Sequence, residues 1–322
     1  MLRRKVCVVT GGAGFIGANL VRKLLEYGAE VIVFDNLERG RMENLKGIED
    51  LIQFYRVDVR KENLPRVDAD YVFHLAAKVY GVRKLHRDVV DIMSSNIMGD
   101  IQVFKWATKM GVERLVYASS SCVYDFPGAT IPHVEDEEGV PNTFYGLSKF
   151  FGEKLLEAYK EQGLLEWSIA RLFNIYGPLE SLDEPHVIPA FFVKAYRILE
   201  GGTDTFEIIG DGEQTRSFLF VDDAVEGLIK LAIEPKATYE TFNIGTDKSI
   251  KIKELAKLIL ETVGVDPRKV RFVHVPAPKR DIRRRAANYL KAKQILGWIP
   301  KTDLKEGLKI TWMWIRRRLE KG

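Results

Sequence analysis

Cysteine is nearly absent from this chain of 322 residues, which has only Cys7 and Cys122. Two cysteines make no disulfide framework, so the disulfide-stapled secreted classes are excluded. Long hydrophobic runs are lacking too. No apolar stretch reaches the roughly 20 residues that a membrane-spanning helix needs. The start, Met1-Leu2-Arg3-Arg4-Lys5, runs into a strand pattern without an apolar leader. The expected setting is a reducing cytoplasm, with no membrane partner. The chain also lacks a strong excess of one charge. Its 49 Lys and Arg stand against 45 Asp and Glu, a net +4 spread along the sequence. This is too mild for a nucleic-acid partner. No repeat or low-complexity segment occurs, and no metal ion is expected.

The residues present are those of an ordinary folded protein, 46% hydrophobic and 29% charged. Short apolar runs at Val6–Thr10, Glu30–Asp35, Gln53–Val57, Tyr71–Leu75, Arg114–Ala118 and Trp167–Arg171 read as strands buried on both faces. Helical patterns near Phe15–Tyr27, Ser94–Met110 and Tyr145–Gln162 separate them. This alternation implies an α/β fold with a doubly wound parallel sheet. After about Asn174 the segments shorten and Pro178, Pro185 and Pro189 interrupt them. The expected division is therefore a nucleotide-binding domain over 1–175 and, mainly, a smaller substrate lobe over 176–322, with some later elements returning to the sheet. A final helix is expected over Asp303–Glu320, ending in a solvated Arg316-Arg317-Arg318 run.

The first strand is followed by Thr10-Gly11-Gly12-Ala13-Gly14-Phe15-Ile16-Gly17. Gly11, Gly14 and Gly17 give a G-x-x-G-x-x-G spacing at a strand–turn–helix junction. A tight turn, a close approach to a pyrophosphate and close helix packing each exclude a side chain, so the pattern points to a Rossmann-type dinucleotide site. Phe15 and Ile16 would place their N–H groups at the phosphates. Asp35, ending the second strand beside Asn36, is placed to accept from the adenosine ribose and to repel a 2′-phosphate, which favours NAD; the alternative is a plain turn acid. Asp58, beside Val59, is either an adenine contact or a turn cap. Leu75, Ala76, Ala77 and Lys78, after the fourth strand, and Asn96 complete the expected cofactor set.

Tyr145 and Lys149 stand four residues apart at a helix start, on one face. A lysine ammonium beside a phenol favours the phenolate, which would lower the tyrosine toward a working general base. Ser119-Ser120-Ser121-Cys122 follows a strand at its carboxyl end, where ligands of open α/β sheets bind.

On these motifs the chain resembles the extended short-chain dehydrogenase/reductases, the family of nucleotide-sugar epimerases and dehydratases. The likeness continues through Arg171-Leu172-Phe173-Asn174-Ile175-Tyr176-Gly177-Pro178, Gly210–Phe218, Val221-Asp222-Asp223, Phe242-Asn243-Ile244-Gly245 and Leu296-Gly297-Trp298. It implies a catalytic set of Ser120, Tyr145 and Lys149, with Lys149 also holding the nicotinamide ribose. It implies that Asn174 and Arg216 grip the substrate diphosphate, and that members pair as homodimers through two helices. Arg-x-Gly-Asp usually precedes the last phosphate contact; here Pro278–Arg285 reads differently, leaving Arg283 or Arg285 for that role.

Family dehydratases carry an Asp-Glu pair after the catalytic hydroxyl. Ser121 and Cys122 hold those places here, which disfavours elimination of water. Ala-Ser-Ser-x-Cys-x-Tyr instead looks like the GDP-mannose 3,5-epimerases, in which that cysteine is an acid/base. Their lysine before Pro-Ala-x-Phe is replaced by Val187, beside His186. His186 is then either the second acid/base or a surface histidine, and Cys122 either a proton carrier or a buried thiol. A UDP-glucose/UDP-galactose 4-epimerase is the alternative, needing only Ser120, Tyr145 and Lys149. A 4-dehydrogenase or 4-keto reductase comes third. A non-catalytic nucleotide-binding relative comes last.

Overall fold

The computed structural model describes residues 2–61, 63–79, 88–183, 185–277 and 282–320. The first half builds β1 (Val6–Thr10), α1 (Phe15–Glu26), β2 (Glu30–Asp35), β3 (Ile52–Arg56), β4 (Tyr71–His74), α2 (Val89–Met110), β5 (Arg114–Ser120), α3 (Phe144–Glu161) and β6 (Trp167–Leu172). The second half adds β7 (Ile175–Tyr176), α4 (Val187–Leu199), β8 (Thr205–Ile209), β9 (Thr215–Ser217), β10 (Leu219–Phe220), α5 (Val221–Ile233), β11 (Glu240–Ile244), β12 (Ser249–Lys251), α6 (Ile252–Val263), β13 (Arg271–Val275), β14 (Arg284–Arg285), α7 (Leu290–Leu296) and α8 (Leu304–Leu319).

The main sheet has seven parallel strands in the order β11-β6-β5-β4-β1-β2-β3. The chain winds outward from β1 to β3, then crosses back and winds the other way. The crevice between β1 and β4 is the point where the order reverses, and there open α/β sheets bind ligands. Successive residues of β1 feed opposite cores: Cys7 and Val9 join one apolar layer with α1 and α5, while Val8 joins the other with α2 and α3. That two-sided burial is why these strands read as unbroken apolar runs. β3 departs from the expectation: at the sheet edge, its Gln53 and Arg56 are exposed.

α2 begins five residues before the expected Ser94. Ser94 carries no cap, because its hydroxyl donates to the Val90 carbonyl one turn back, at 2.7 Å. The second half is stitched to the first by β11, which pairs with β6. The remaining strands form small sheets of their own, β12-β9-β14, β13-β8 and β10-β7. α8 docks on α4 through Trp312 stacked on Phe192, ring centroids 5.5 Å apart. Among the described residues no helix is long and apolar enough to cross a membrane.

Arg114, at the start of β5, is buried and donates to the carbonyls of Leu231, Ala232 and Glu234 at 3.1, 3.2 and 2.7 Å. It thereby satisfies the orphan acceptors that end α5. Arg114→Leu should cost about 3 kcal/mol, since buried carbonyls would lose a charged donor. Chemical denaturation of the purified variant measures it.

Candidate active site

One cavity of about 1120 Å³ runs across the carboxyl ends of the central strands, large enough for two ligands end to end. Its floor at one end is the β1–α1 turn. Gly17 sits so close to this turn that an added Cβ would lie 2.1 Å from the Gly11 carbonyl oxygen. α1 starts at Gly14 without a side-chain cap, so its first-turn N–H groups have no side-chain acceptor, and Gly14, Phe15, Ile16 and Gly17 line the cavity. That is the donor set a pyrophosphate requires. Asp35 lies beside it, its carboxylate held by the N–H groups of Ala13 and Leu37 at 3.0 and 2.8 Å. Burial pushes this carboxyl above its usual range, against the pull of those two donors.

Asn36, Asp58, Val59, Leu75, Ala76, Ala77, Lys78 and Asn96 line the same end. Asp58 accepts from the Arg60 guanidinium at 2.8 and 2.6 Å, which holds it below the usual carboxylate range. Asn96 accepts from the Lys78 N–H at 2.7 Å and donates to its carbonyl at 3.2 Å, fixing the loop after β4. Lys78 itself pairs with Glu38 and Asp91.

At the middle of the cavity β5 ends in Ser120, and a 3-10 turn, Ser121–Tyr124, follows. Ser120 Oγ caps that turn by accepting from the Cys122 N–H at 3.2 Å. α3 starts against it: Thr143 caps the helix by accepting from Gly146 N–H at 3.1 Å, and a Cβ on Gly146 would sit 2.4 Å from the Cys122 carbonyl oxygen. Only glycine lets the helix bearing Tyr145 and Lys149 approach the serine turn this closely. Ser120, Ser121, Cys122, Tyr145 and Lys149 thus share one stretch of wall.

The electrostatics differ from the sequence expectation. Burial pushes the Tyr145 phenol well above its usual range, against a hydrogen bond to Ser120 and the charge of Arg285. Burial likewise drives Lys149 downward, opposed by Asp100 and Glu153. The Lys149 ammonium lies 4.6 Å from the Tyr117 ring centroid, a cation–π contact. Burial also raises the Cys122 thiol, favouring its protonated form.

Two buried chains of polar groups stand behind this wall. His74 shares a 2.7 Å bond with Thr10 and a 3.0 Å bond with Asp100, which also accepts from Tyr117 at 2.7 Å. Burial holds His74 neutral. Glu153 accepts from Ser119 and from Arg171, the latter at 3.1 and 2.7 Å, and Arg171 donates on to Tyr124 at 2.8 Å.

The far end is lined by Asn174, His186, Val187 and Arg216, and Arg285 lines the wall beside Asp125 of the serine turn. Asn174, at φ +40°, donates to the Ser217 carbonyl at 2.8 Å. Arg216 and Arg285 are register partners on β9 and β14. Arg283 stands apart: it is outside the cavity lining, exposed, and paired with Asp211 at 2.9 and 3.0 Å. Residues 278–281 of the segment before it lie outside the described residues. Sequence reasoning passed over Asp125, which pairs with Arg285, and Glu180, whose buried carboxylate bonds His186 Nδ1 at 2.7 Å. It also passed over Asp100 and Glu153. Their signal was there, since Glu153 follows Lys149, and Asp100 follows Asn96, by one helical turn. Among the described residues no cluster of His, Cys, Asp or Glu is placed to hold a metal ion.

Comparison with known proteins matches residues 7–245 to the NAD dependent epimerase/dehydratase family. GDP-mannose 3,5-epimerase of Arabidopsis thaliana is 35% identical, over 97% of this chain and 82% of that protein. UDP-glucuronic acid decarboxylase 4 of the same plant is 36% identical, over 99% of this chain and 70% of its own length. The crystal structure of UDP-glucose 4-epimerase from Thermotoga maritima, solved with UDP-glucose, superposes with a TM-score of 0.89 at 34% identity, covering 98% and 99% of the two chains. Three activities at nearly equal identity leave the reaction to be argued from the site.

Gly17→Ala should abolish NAD binding, because the new Cβ would have to displace the Gly11 carbonyl from the turn. The rise in melting temperature that NAD gives the parent chain would then be missing in the variant.

Proposed function

Because this chain belongs to the NAD dependent epimerase/dehydratase family, and is an NAD-dependent enzyme, we propose that it epimerises a nucleotide-activated sugar through a transient 4-keto form, in the manner of the GDP-mannose 3,5-epimerases. The observation that carries this reading is the place of Cys122, in the cavity wall beside Ser120 and Tyr145, with burial pushing its thiol toward the protonated form. A 4-epimerase has no use for such a thiol; an enzyme that inverts carbons next to a ketone does.

Residues 1–175 mainly hold the cofactor and 176–322 mainly the sugar nucleotide. The first turn of α1 and Asp35 bind the pyrophosphate and adenosine ribose, and Lys149 the nicotinamide ribose. NAD, when bound, takes a hydride from the sugar and returns it. Tyr145 takes the 4-hydroxyl proton as C4 is oxidised. Its own proton must leave first, to Lys149 one turn on along the same face of α3. Ser120 holds the reacting oxygen. Asn174 and Arg216 grip the diphosphate, Arg216 with a fork suited to phosphate oxygens. The 4-ketone acidifies the hydrogens on C3 and C5. Cys122 delivers a proton on one face. His186, its ring fixed by Glu180, removes one on the other.

A UDP-hexose 4-epimerase is the second reading. It is favoured by the likeness to the Thermotoga maritima enzyme and by the sufficiency of Ser120, Tyr145 and Lys149 for that reaction. Turnover of GDP-mannose in D₂O should place deuterium at C3 or C5. No deuterium there, with clean 4-epimerisation of a UDP-hexose, hands the reaction to the second reading. Tyr145→Phe should lower turnover by about a thousandfold under either reading, and wild-type turnover in that variant would sink both.

We also propose that the enzyme acts as a homodimer through α2 and α3, where Met98 and Phe151 are 50% and 38% exposed. Light scattering should give twice the mass of one chain, and one chain's mass for the double variant Met98→Glu, Phe151→Glu.

A further inference from the structure

Asp125 ends the serine turn, three residues after Cys122, and is almost fully buried. A carboxylate at that depth needs partners. It has Arg285 from β14, in an ion pair, and the Thr143 hydroxyl at 3.4 Å. The Cys122 thiol is next to this pair: Asp125 closes the turn that Cys122 belongs to, its N–H donating to the Cys122 carbonyl at 3.2 Å, and the charges of Asp125 and Arg285 both act on the sulfur. Arg285 retains one buried N–H, on Nε, with no acceptor. Both residues line the cavity with Cys122. A thiol between a carboxylate and a guanidinium feels two opposed influences: the carboxylate favours S–H and the guanidinium favours S⁻. The other groups facing it are the Ser120 hydroxyl at the end of β5 and the Tyr145 phenol on α3. His133, behind Arg285 and Asp125, is turned toward its neutral form by burial and adds little charge.

We propose that Asp125 is a positioning residue for Cys122: clamped by Arg285, its carboxylate holds the thiol hydrogen in place until the substrate carbon takes that proton, and Arg285 then stabilises the thiolate left behind. Arg285 thereby serves the acid at the middle of the cavity, where the sequence had offered it as a diphosphate ligand. The S–H bond breaks and a C–H bond forms on the 4-keto sugar. The negative charge moves from the sugar enolate to sulfur. No oxidant or reductant is needed. The inference rests on the reading of Cys122 as an acid, but its test needs no sugar.

Iodoacetamide alkylates thiolate and not thiol. Its rate at Cys122, followed by peptide mass in the NAD-loaded enzyme at pH 8, reports the thiolate fraction. Cys7 does not interfere, since burial pushes it up to about 12. Asp125→Asn should speed alkylation about three- to tenfold, and Arg285→Gln should slow it by a similar factor, a shift of one pKa unit being tenfold. Asp125→Glu and Arg285→Lys, which keep the charges, should stay within about twofold of the parent. A purely structural role would loosen the wall in both neutral variants and speed both. Movement in the same direction, no movement, or a matching change in the charge-keeping variants overturns the proposal. Each arm is read against its own charge-keeping partner, so one arm suffices if the other variant does not fold. Deuterium exchange in turnover is independent: its absence with the opposed alkylation shifts intact would remove the epimerase reading and leave the Asp125 assignment standing.

Discussion

A lysine ammonium with 2% of its surface exposed is the constraint from which the interior of this site follows. Taking such a charge out of water costs several kcal/mol unless opposite charge is brought to it. Asp100 and Glu153 supply that charge, and the face of Tyr117 covers what remains. Each carboxylate then has demands of its own. Asp100 is met by His74 and Tyr117, and His74 in turn by Thr10. Glu153 is met by Ser119 and Arg171, and Arg171 by Tyr124. One buried charge therefore fixes side chains on β1, β4, β5, β6, α2 and α3, the elements that form the cavity wall.

The same dryness governs the reactive groups. Tyr145 and Cys122 are both driven toward their protonated forms, and Lys149 toward its neutral one. Proton positions in this wall are therefore set by a few buried partners and not by water. This suits a reaction that must shuttle protons on a single sugar ring without admitting water. Closeness makes the arrangement possible: Gly146, in the first turn of α3, lets the two halves of the wall touch, as the glycine turn at β1 brings backbone donors to the cavity.

Most of the fold was legible because strands buried on both faces announce themselves as unbroken apolar runs, and the glycine turn carries its own physical reason. The edge strand β3 and the start of α2 were less so. Gln53 and Arg56 dilute the strand signal at the sheet edge, and α2 takes in Val89–Met93 ahead of the expected Ser94. At the site, the residues on periodic elements were readable. Arg283 and Arg285 were not separable, because three consecutive arginines carry no phase; the register of β14 against β9 decides which one reaches the cavity. Asp125 and Glu180 lie in turns, where no spacing rule says which way a carboxylate faces. The direction of the Tyr145 shift was misjudged for a related reason. A neighbour can be read from spacing, but the depth of burial that outweighs it cannot.

The pairing of β11 with β6 also bears on how the molecule comes into being. β6 is complete on its outer side only when residues 240–244 have been made, long after the rest of the sheet has left the ribosome. Until then the nascent chain carries an apolar strand edge open to other chains, the kind of edge that templates aggregation. The segment between β6 and β11 is thus looped out from the sheet, with its closing strand arriving late. Recombination between residues 172 and 240 would separate two strands that pair in one sheet.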